Sequence, residues 1–410
     1  MPDVEDRFRA LAAARPPELW EEIEERTRHG APQVPRRRRA LAAVVSLGLA
    51  IAAISALVVL FTRTPFEPEP AETPFEGPSV PEGRLVIQLE GLVQIAEPGR
   101  PLQYVTSGVH ADAVSADGST LLAVGPTAPA RELLTINVAT GERTVIATVS
   151  EGEGIGDAAL SPDGSLAAFV VGGLRHSRVC VAGPDLDEHR CFPEAGRVVS
   201  VDWSPDGRSF VAAGDHPVQI IDPLTGKVRP VVAQRGSTPI NRALEAAGIG
   251  ASDQLDVPTW SASGRYLAAL ASLEEGPYLY VPVVFDLEGN FVAMGRPSHE
   301  APTESAWSPI EDVLAYTRGD PPYQIDEVYV LDPETGEDRP VLSRRAHVHS
   351  LAWSPSGRWL AVGLWESSGT LARRLARRLV RLVDLTDKAA PIDLTLPRGD
   401  DSAPGLPGWR

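Results

Sequence analysis

The sequence predicts an all-β fold, a seven-bladed β-propeller, preceded by a transmembrane helix and a short helical cytoplasmic leader. Two observations carry the prediction. A corner motif, clearest as Trp203-Ser204-Pro205-Asp206-Gly207, recurs at steps of roughly 43 to 57 residues, the window in which one repeat makes one propeller blade. Near the start, Ala40 to Phe61 is an uncharged apolar run of about 22 residues, enough to cross the hydrocarbon core of a bilayer.

Residues 1–39 make the leader. Val4, Phe8, Leu11 and Ala12 are spaced as one apolar stripe of a helix. Pro16-Pro17 opens a second helical segment, with Leu19, Trp20 and Ile23 on one side and Glu21, Glu22, Glu24 and Glu25 on the other. Acids in the first turns favour that helix. Helices this short need something to dock on. The leader is therefore either a frayed tail beside the membrane or a partner-binding pair whose contacts are Phe8, Leu11, Leu19, Trp20 and Ile23. The segment resembles the cytoplasmic leaders of actinobacterial membrane proteins paired with extracytoplasmic-function sigma factors, which implies a cytoplasmic regulator as partner. It lacks the His-x-x-x-Cys-x-x-Cys zinc motif of many anti-sigma factors.

Residues 40–61 make the membrane helix. Arg36 to Arg39 precede it and only Arg63 follows closely, which orients the N-terminus toward the cytoplasm. A cleaved signal peptide is the competing reading, but the apolar run and the leader are both long for one. Residues 62–83, rich in Pro and Glu, predict an extended extracytoplasmic spacer with no core. Residues 84–410 remain for the propeller, outside the cell membrane.

Related corners stand at Val114-Ser115-Ala116-Asp117-Gly118, Leu160-Ser161-Pro162-Asp163-Gly164, Trp260-Ser261-Ala262-Ser263-Gly264, Trp307-Ser308-Pro309-Ile310-Glu311 and Trp353-Ser354-Pro355-Ser356-Gly357. Pro presets φ, Asp or Ser tolerates the next position, and Gly takes the left-handed residue, which is a type I turn with a bulge. Alternating stretches such as Val199 to Trp203 lead in and apolar ones such as Phe210 to Ala213 lead out, so both read as strands. A second hairpin is marked by Ala139-Thr140-Gly141, Leu224-Thr225-Gly226 and Glu334-Thr335-Gly336. Each unit thus supplies four strands, a to d, and neighbouring units must stack in a ring. Three extra strands before residue 110 lack a strand a, and Trp409 falls on the repeat phase. Seven blades follow if the C-terminal strand completes the N-terminal three; six blades with a stray hairpin is the alternative. The Trp-Ser-Pro-Asp-Gly repeat resembles the WD40-like repeat of TolB-type β-propellers. That resemblance implies the fold and a protein-binding scaffold in the envelope.

The net charge of -17 argues against nucleic acid, whose phosphates need clustered Lys and Arg. Outside the membrane, cysteines oxidise. Cys180 and Cys191 fall opposite each other on strands c and d of one blade, within disulfide reach, and a pair of buried thiols is the competing reading. The corner and Thr-Gly turns fall on one face. The longer connections, at Gln234 to Ser252 with a helical stretch Asn241 to Ala247, Arg318 to Asp326 and Glu366 to Arg378, fall on the other, where function concentrates.

That second face collects the candidate binding residues His176, His216, His299, Arg318, Tyr323, Arg344, Arg345, His347, His349, Arg373 and Arg374, together with His110 and Arg175. The arginines from Arg373 to Arg381 are either a solvated loop or an attractor for an anionic envelope polymer. No catalytic residues, metal or cofactor are expected: no Gly-x-Ser-x-Gly elbow occurs, and His347 and His349 lack a carboxylate at ligand spacing. The functional expectation is a protein- or ligand-binding module, either a sensor coupled to a sigma factor or a tethered scaffold.

Overall fold

A computed structural model describes residues 80–125, 131–172, 177–183, 189–192, 198–214, 217–233, 236, 238–252, 254–273, 279–299, 305–320, 325–344, 346–366, 377–386, 389–396 and 404–410. The leader, the apolar run 40–61 and most of the spacer lie outside the described residues. Among the described residues no helix is long and apolar enough to cross a membrane.

The fold is an all-β seven-bladed propeller, and the six-bladed alternative is discarded. Blades 1 to 6 run in order, each an antiparallel sheet of four consecutive strands, at 110–148, 154–192, 198–232, 254–294, 305–344 and 347–395. Blade 7 is composite. Strands Leu85–Leu89, Leu92–Ala96 and Gln103–Ser107 are completed by the C-terminal strand Gly405–Trp409, with Leu85 opposite Trp409. The first strand of each blade is innermost and touches its counterparts on both neighbours, so the ring closes. The apolar core is correspondingly divided into seven clusters, one between every pair of adjacent blades. A blade is buried only by its neighbours, which is why the sequence must repeat.

The corners behave as their chemistry dictates. In blade 3, Gly207 has φ 69°, Ser204 Oγ donates to Asp206 Oδ1 at 2.7 Å, and the Arg208 amide donates to the same oxygen at 3.0 Å. The same Ser–Asp pair caps blades 1 and 2, and the Ser115 hydroxyl beside Asp117 holds that carboxyl down at about 2. Where Ser replaces the Asp, the next blade supplies the acid. Asp312 of blade 5 accepts the Ser263 amide at 3.0 Å. Glu82 accepts the Ser356 hydroxyl and, at 3.3 Å, its amide. The corner tryptophans bind across blades as well: Trp203, Trp307 and Trp353 each donate an indole N–H to the preceding blade's inner strand, at Ala159, Thr259 and Ala306.

One boundary differs from the sequence reading, and one predicted helix is present. Val80 is 1% exposed in the cluster between blades 6 and 7, and the Glu82 carbonyl accepts the Trp409 indole at 2.7 Å; residues 80–83, read as the end of the spacer, thus lie against the propeller. The connection between blades 3 and 4 carries a helix, α1 (Pro239–Ala246), N-capped by Thr238 and seated through Ile240 and Leu244. The expected disulfide Cys180–Cys191 is present, between directly paired residues of neighbouring strands.

Candidate functional site

The inner strands carry a recurrent irregularity. Their register against the second strand shifts between Ala111 and Ala113, Ile155 and Ala158, Val198 and Ser200, Asp256 and Thr259, and Val348 and Ser350. A bulge re-aims the extra residue. Four residues skipped in this way, Asp112, Asp157, Val257 and His349, line a cavity of about 590 Å³ along the ring's axis. This cavity opens where the inner strands begin, on the face of the longer connections. The corner residues line a second cavity, of about 450 Å³, at the other end, and Leu406 and Pro407 border both.

Three aspartates descend the channel wall. Asp157 Oδ2 accepts the Val201 amide of the next blade at 2.8 Å. Asp202 accepts its neighbour Trp203 at 2.9 Å and Trp260 of the next blade at 2.8 Å. These two carboxylates therefore satisfy backbone N–H groups on the next blade's innermost strand. Asp112 differs: Oδ1 faces His110 Nδ1 at 3.4 Å, and the buried Oδ2 has no hydrogen-bond partner among the described residues. Gln88 completes the rim by accepting the Ala111 amide at 2.8 Å.

Enclosure pushes the Asp112 carboxyl up. Asp157 rises to about 6, from enclosure first and then from the charge of Asp112. Asp202 rises to about 7, enclosure outweighing its two N–H donors and Arg410. The bond to Asp112 raises His110, while desolvation and the His110 charge lower His349. Asp157 is exposed along the cavity, so part of its penalty is screened.

These shifts set a pH dependence. A carboxyl held at about 6 in the folded chain and 3.8 ordinarily binds its proton more tightly when folded, so its stabilising effect is complete below about pH 4 and lost as pH rises through 6. His349, shifted down, acts oppositely. Asp157→Asn keeps an acceptor for Val201 and is expected to flatten thermal stability between pH 5 and 7.5, removing on the order of 1 kcal/mol of pH dependence after screening. A wild-type slope persisting in the variant would assign that slope elsewhere.

Of the candidates chosen from sequence, the structure brings His349 to the channel, near His110. His347 packs instead against Trp365 in a tilted arrangement, with ring centroids 5.8 Å apart. Arg318 lies within strand Leu314–Asp320, not in a loop, and bonds Glu327 at 2.8 Å and the Pro297 carbonyl at 3.0 Å. Arg344 ends an outer strand, Asp338–Arg344, away from the channel. His299 is exposed just after the Tyr280–Ser298 bridge. His176, His216, Tyr323, Arg345, Arg373 and Arg374 lie outside the described residues, as do Phe8, Leu11, Leu19, Trp20 and Ile23. The end of the arginine run is no free basic loop: Arg378 is 3% exposed and pairs with Glu90 at 2.5 Å, and Arg381 pairs bidentately with Asp393. Sequence reasoning passed over Asp112, Asp157, Asp202, Gln88 and Glu90. The available signal was an acid shortly before the corner in each of the first four units.

One strained residue also faces the cavity. Val257, 50% exposed, has φ 50°, an outlier for a β-branched side chain. Glu90, held by Arg378, has φ 54° at the same rim. Such strain persists where the surroundings impose it, often at binding sites.

Comparison with known proteins agrees with this architecture. The WD domain, G-beta repeat, matches residues 185–217 and 338–371. No curated protein matches the chain in sequence. Among solved structures, the chain is similar to an oligogalacturonate lyase in complex with manganese, with 13% identity and a TM-score of 0.53 over 72% of this chain and 83% of that one. It is also similar to the Cps50 (Swd1) β-propeller domain of Myceliophteria thermophila, with 12% identity and a TM-score of 0.51 over 71% and 88%. TolB from Acinetobacter baumannii aligns with 15% identity and a TM-score of 0.46 over 80% and 67%. These likenesses are of fold: the chain carries WD-type repeats on a β-propeller scaffold.

Proposed function

We propose that this chain is a membrane-tethered propeller that binds a protein partner outside the cytoplasm at the mouth of its central channel. In this reading residues 40–61 form the anchor, and the leader reports to a cytoplasmic regulator such as a sigma factor. One observation carries the binding assignment. The chain enters the ring at Val80 beside the corner face, where Gly83 packs near Arg410, so the opposite face, with its longer connections and polar cavity, is left clear of that connection. Repeats of this type on a propeller support protein association, and a chain of the mitotic checkpoint complex, a protein assembly, has a similar fold, with a TM-score of 0.51 and 14% identity over 78% of this chain and 94% of that one. Binding is favoured over catalysis because Asp157 and Asp202 are engaged by backbone N–H groups.

The test is co-purification from native membranes, comparing the intact chain with one whose residues 1–35 are scrambled and Arg36 to Arg39 retained. A cytoplasmic transcription regulator recovered with the intact leader and lost with the scrambled one is the expected outcome. Recovery of the same envelope proteins by both, with nothing cytoplasmic, would leave a propeller scaffold on a passive tether.

A further inference from the structure

We propose that the channel mouth is a receptor for a single cationic side chain, a guanidinium or alkylammonium presented by a partner protein, seated against Asp112. The proposal rests on the reading of the mouth as a protein-binding site and names the chemistry recognised there.

Three independent observations point to this occupant. The first is the buried Asp112 Oδ2, which has no hydrogen-bond partner among the described residues. A buried carboxylate oxygen left unpaired is costly, and the equivalent groups of blades 2 and 3 are satisfied by backbone amides. A donor arriving from outside would remove that cost.

The second is charge. Asp112 and Asp157 act on one another electrostatically. Of the cations near them, Arg378 is bound to Glu90, and Arg410 acts on Asp202 toward the corner end. Among the described residues His110, His349 and the Tyr316 hydroxyl are the other titratable groups lining the cavity, and His349 is driven toward its neutral form. Among the described residues the site thus holds more negative charge than its cations offset, in a chain of net charge -17.

The third is the apolar wall. The exposed, strained Val257 stands with Leu270, Pro282 and Leu406 around the same cavity. A bare metal ion has no use for such a wall. Arg and Lys do, since their methylene stems bury against apolar surface while the head seeks charge. Among the described residues the donors close enough to share a metal ion are Cys180, His189 and Cys191, and both cysteines are taken by the disulfide.

The experiment measures fluorescence anisotropy of the full-length protein in detergent with labelled Gly-Gly-Arg-Gly-Gly, blocked at both ends, at pH 7.5. The controls are the same peptide with citrulline, the neutral isostere of arginine, and agmatine as competitor. The arginine peptide is expected to bind at least about tenfold more tightly than the citrulline peptide, since only the charged guanidinium makes a charge-assisted bond to the carboxylate. Asp112→Asn should abolish that preference. Lowering the pH to 5.5 should weaken binding, as Asp157 takes up its proton and His110 becomes charged.

Equal binding of the two peptides by the wild-type protein overturns the proposal without relying on any variant. So does failure of both to bind, or an unchanged preference in Asp112→Asn. Agmatine competing as strongly as the peptide would assign the site to a free amine and overturn the protein-borne occupant. A partner captured from membranes but indifferent to Asp112→Asn would leave the protein-binding function standing and remove only this inference.

Discussion

Deleting residues 404–410 is expected to abolish cooperative folding of the propeller, and Trp409→Ala alone to cost about 3–5 kcal/mol, as for other buried aromatics. The tryptophan is 1% exposed, sits in the cluster between blades 6 and 7, and donates its indole N–H to Glu82. Its strand is the innermost member of blade 7 and touches blades 6 and 1. Without it, strand Leu85–Leu89 becomes a bare edge, which invites aggregation. Folded domains are stable by only about 5–15 kcal/mol, so the point variant should unfold at clearly lower urea and the deletion should not give a soluble monomer. Urea titration followed by tryptophan fluorescence, with size-exclusion chromatography, reads both. A deleted chain that unfolds at the wild-type midpoint would show that blade 7 closes without its C-terminal strand.

Removing the disulfide is expected to have the next largest effect. The Cys180–Cys191 bond closes a loop of sequence separation 11, for which the loss of unfolded-chain entropy is worth about 3 kcal/mol. The double variant Cys180→Ala, Cys191→Ala should therefore show a lower Tm, as should the wild-type protein in reductant. Cys180 is fully buried beside Phe169 in the cluster between blades 1 and 2, and the alanine replacement adds a small packing loss. Comparing the variant with the reduced wild type separates the two contributions. Equal melting of the oxidised and reduced wild-type protein would exclude a stabilising role for the bond.

Much of the ring was legible because turn chemistry is local. The corners carried their own Ser, Pro, Asp and Gly, and the phase of Trp409 against them pointed to a seventh blade, with six left as the alternative. The Cys pair was legible for the same reason, being placed by one hairpin. The site was harder to read. Asp112, Asp157 and Asp202 stand at different distances before their corner serines; bulges turn Asp112 and Asp157 to the channel wall, while Asp202 reaches it in regular register. A bulge here is not marked by a Gly or Pro in every blade. Arg318 stands in a strand and not in a loop because strands Leu314–Asp320 and Ile325–Leu331 pair to their ends, at Asp320 opposite Ile325, and consume most of the expected loop. The borrowed caps Asp312 and Glu82 act on serines 49 and 274 residues away, beyond any local pattern.

The composite seventh blade has a mechanical consequence. The chain enters through Val80 and Glu82 and runs directly into strand Leu85–Leu89, whose partner Gly405–Trp409 lies antiparallel to it. Tension applied through the preceding residues would load that pair lengthwise, so that its hydrogen bonds share the force instead of opening one at a time. The borrowed cap at Ser356 and the indole bond to Glu82 tie the point of pull to blades 6 and 7 together. A propeller hung from its N-terminus would thus carry its load on the strand pair that locks the ring, with the channel mouth at the opposite end.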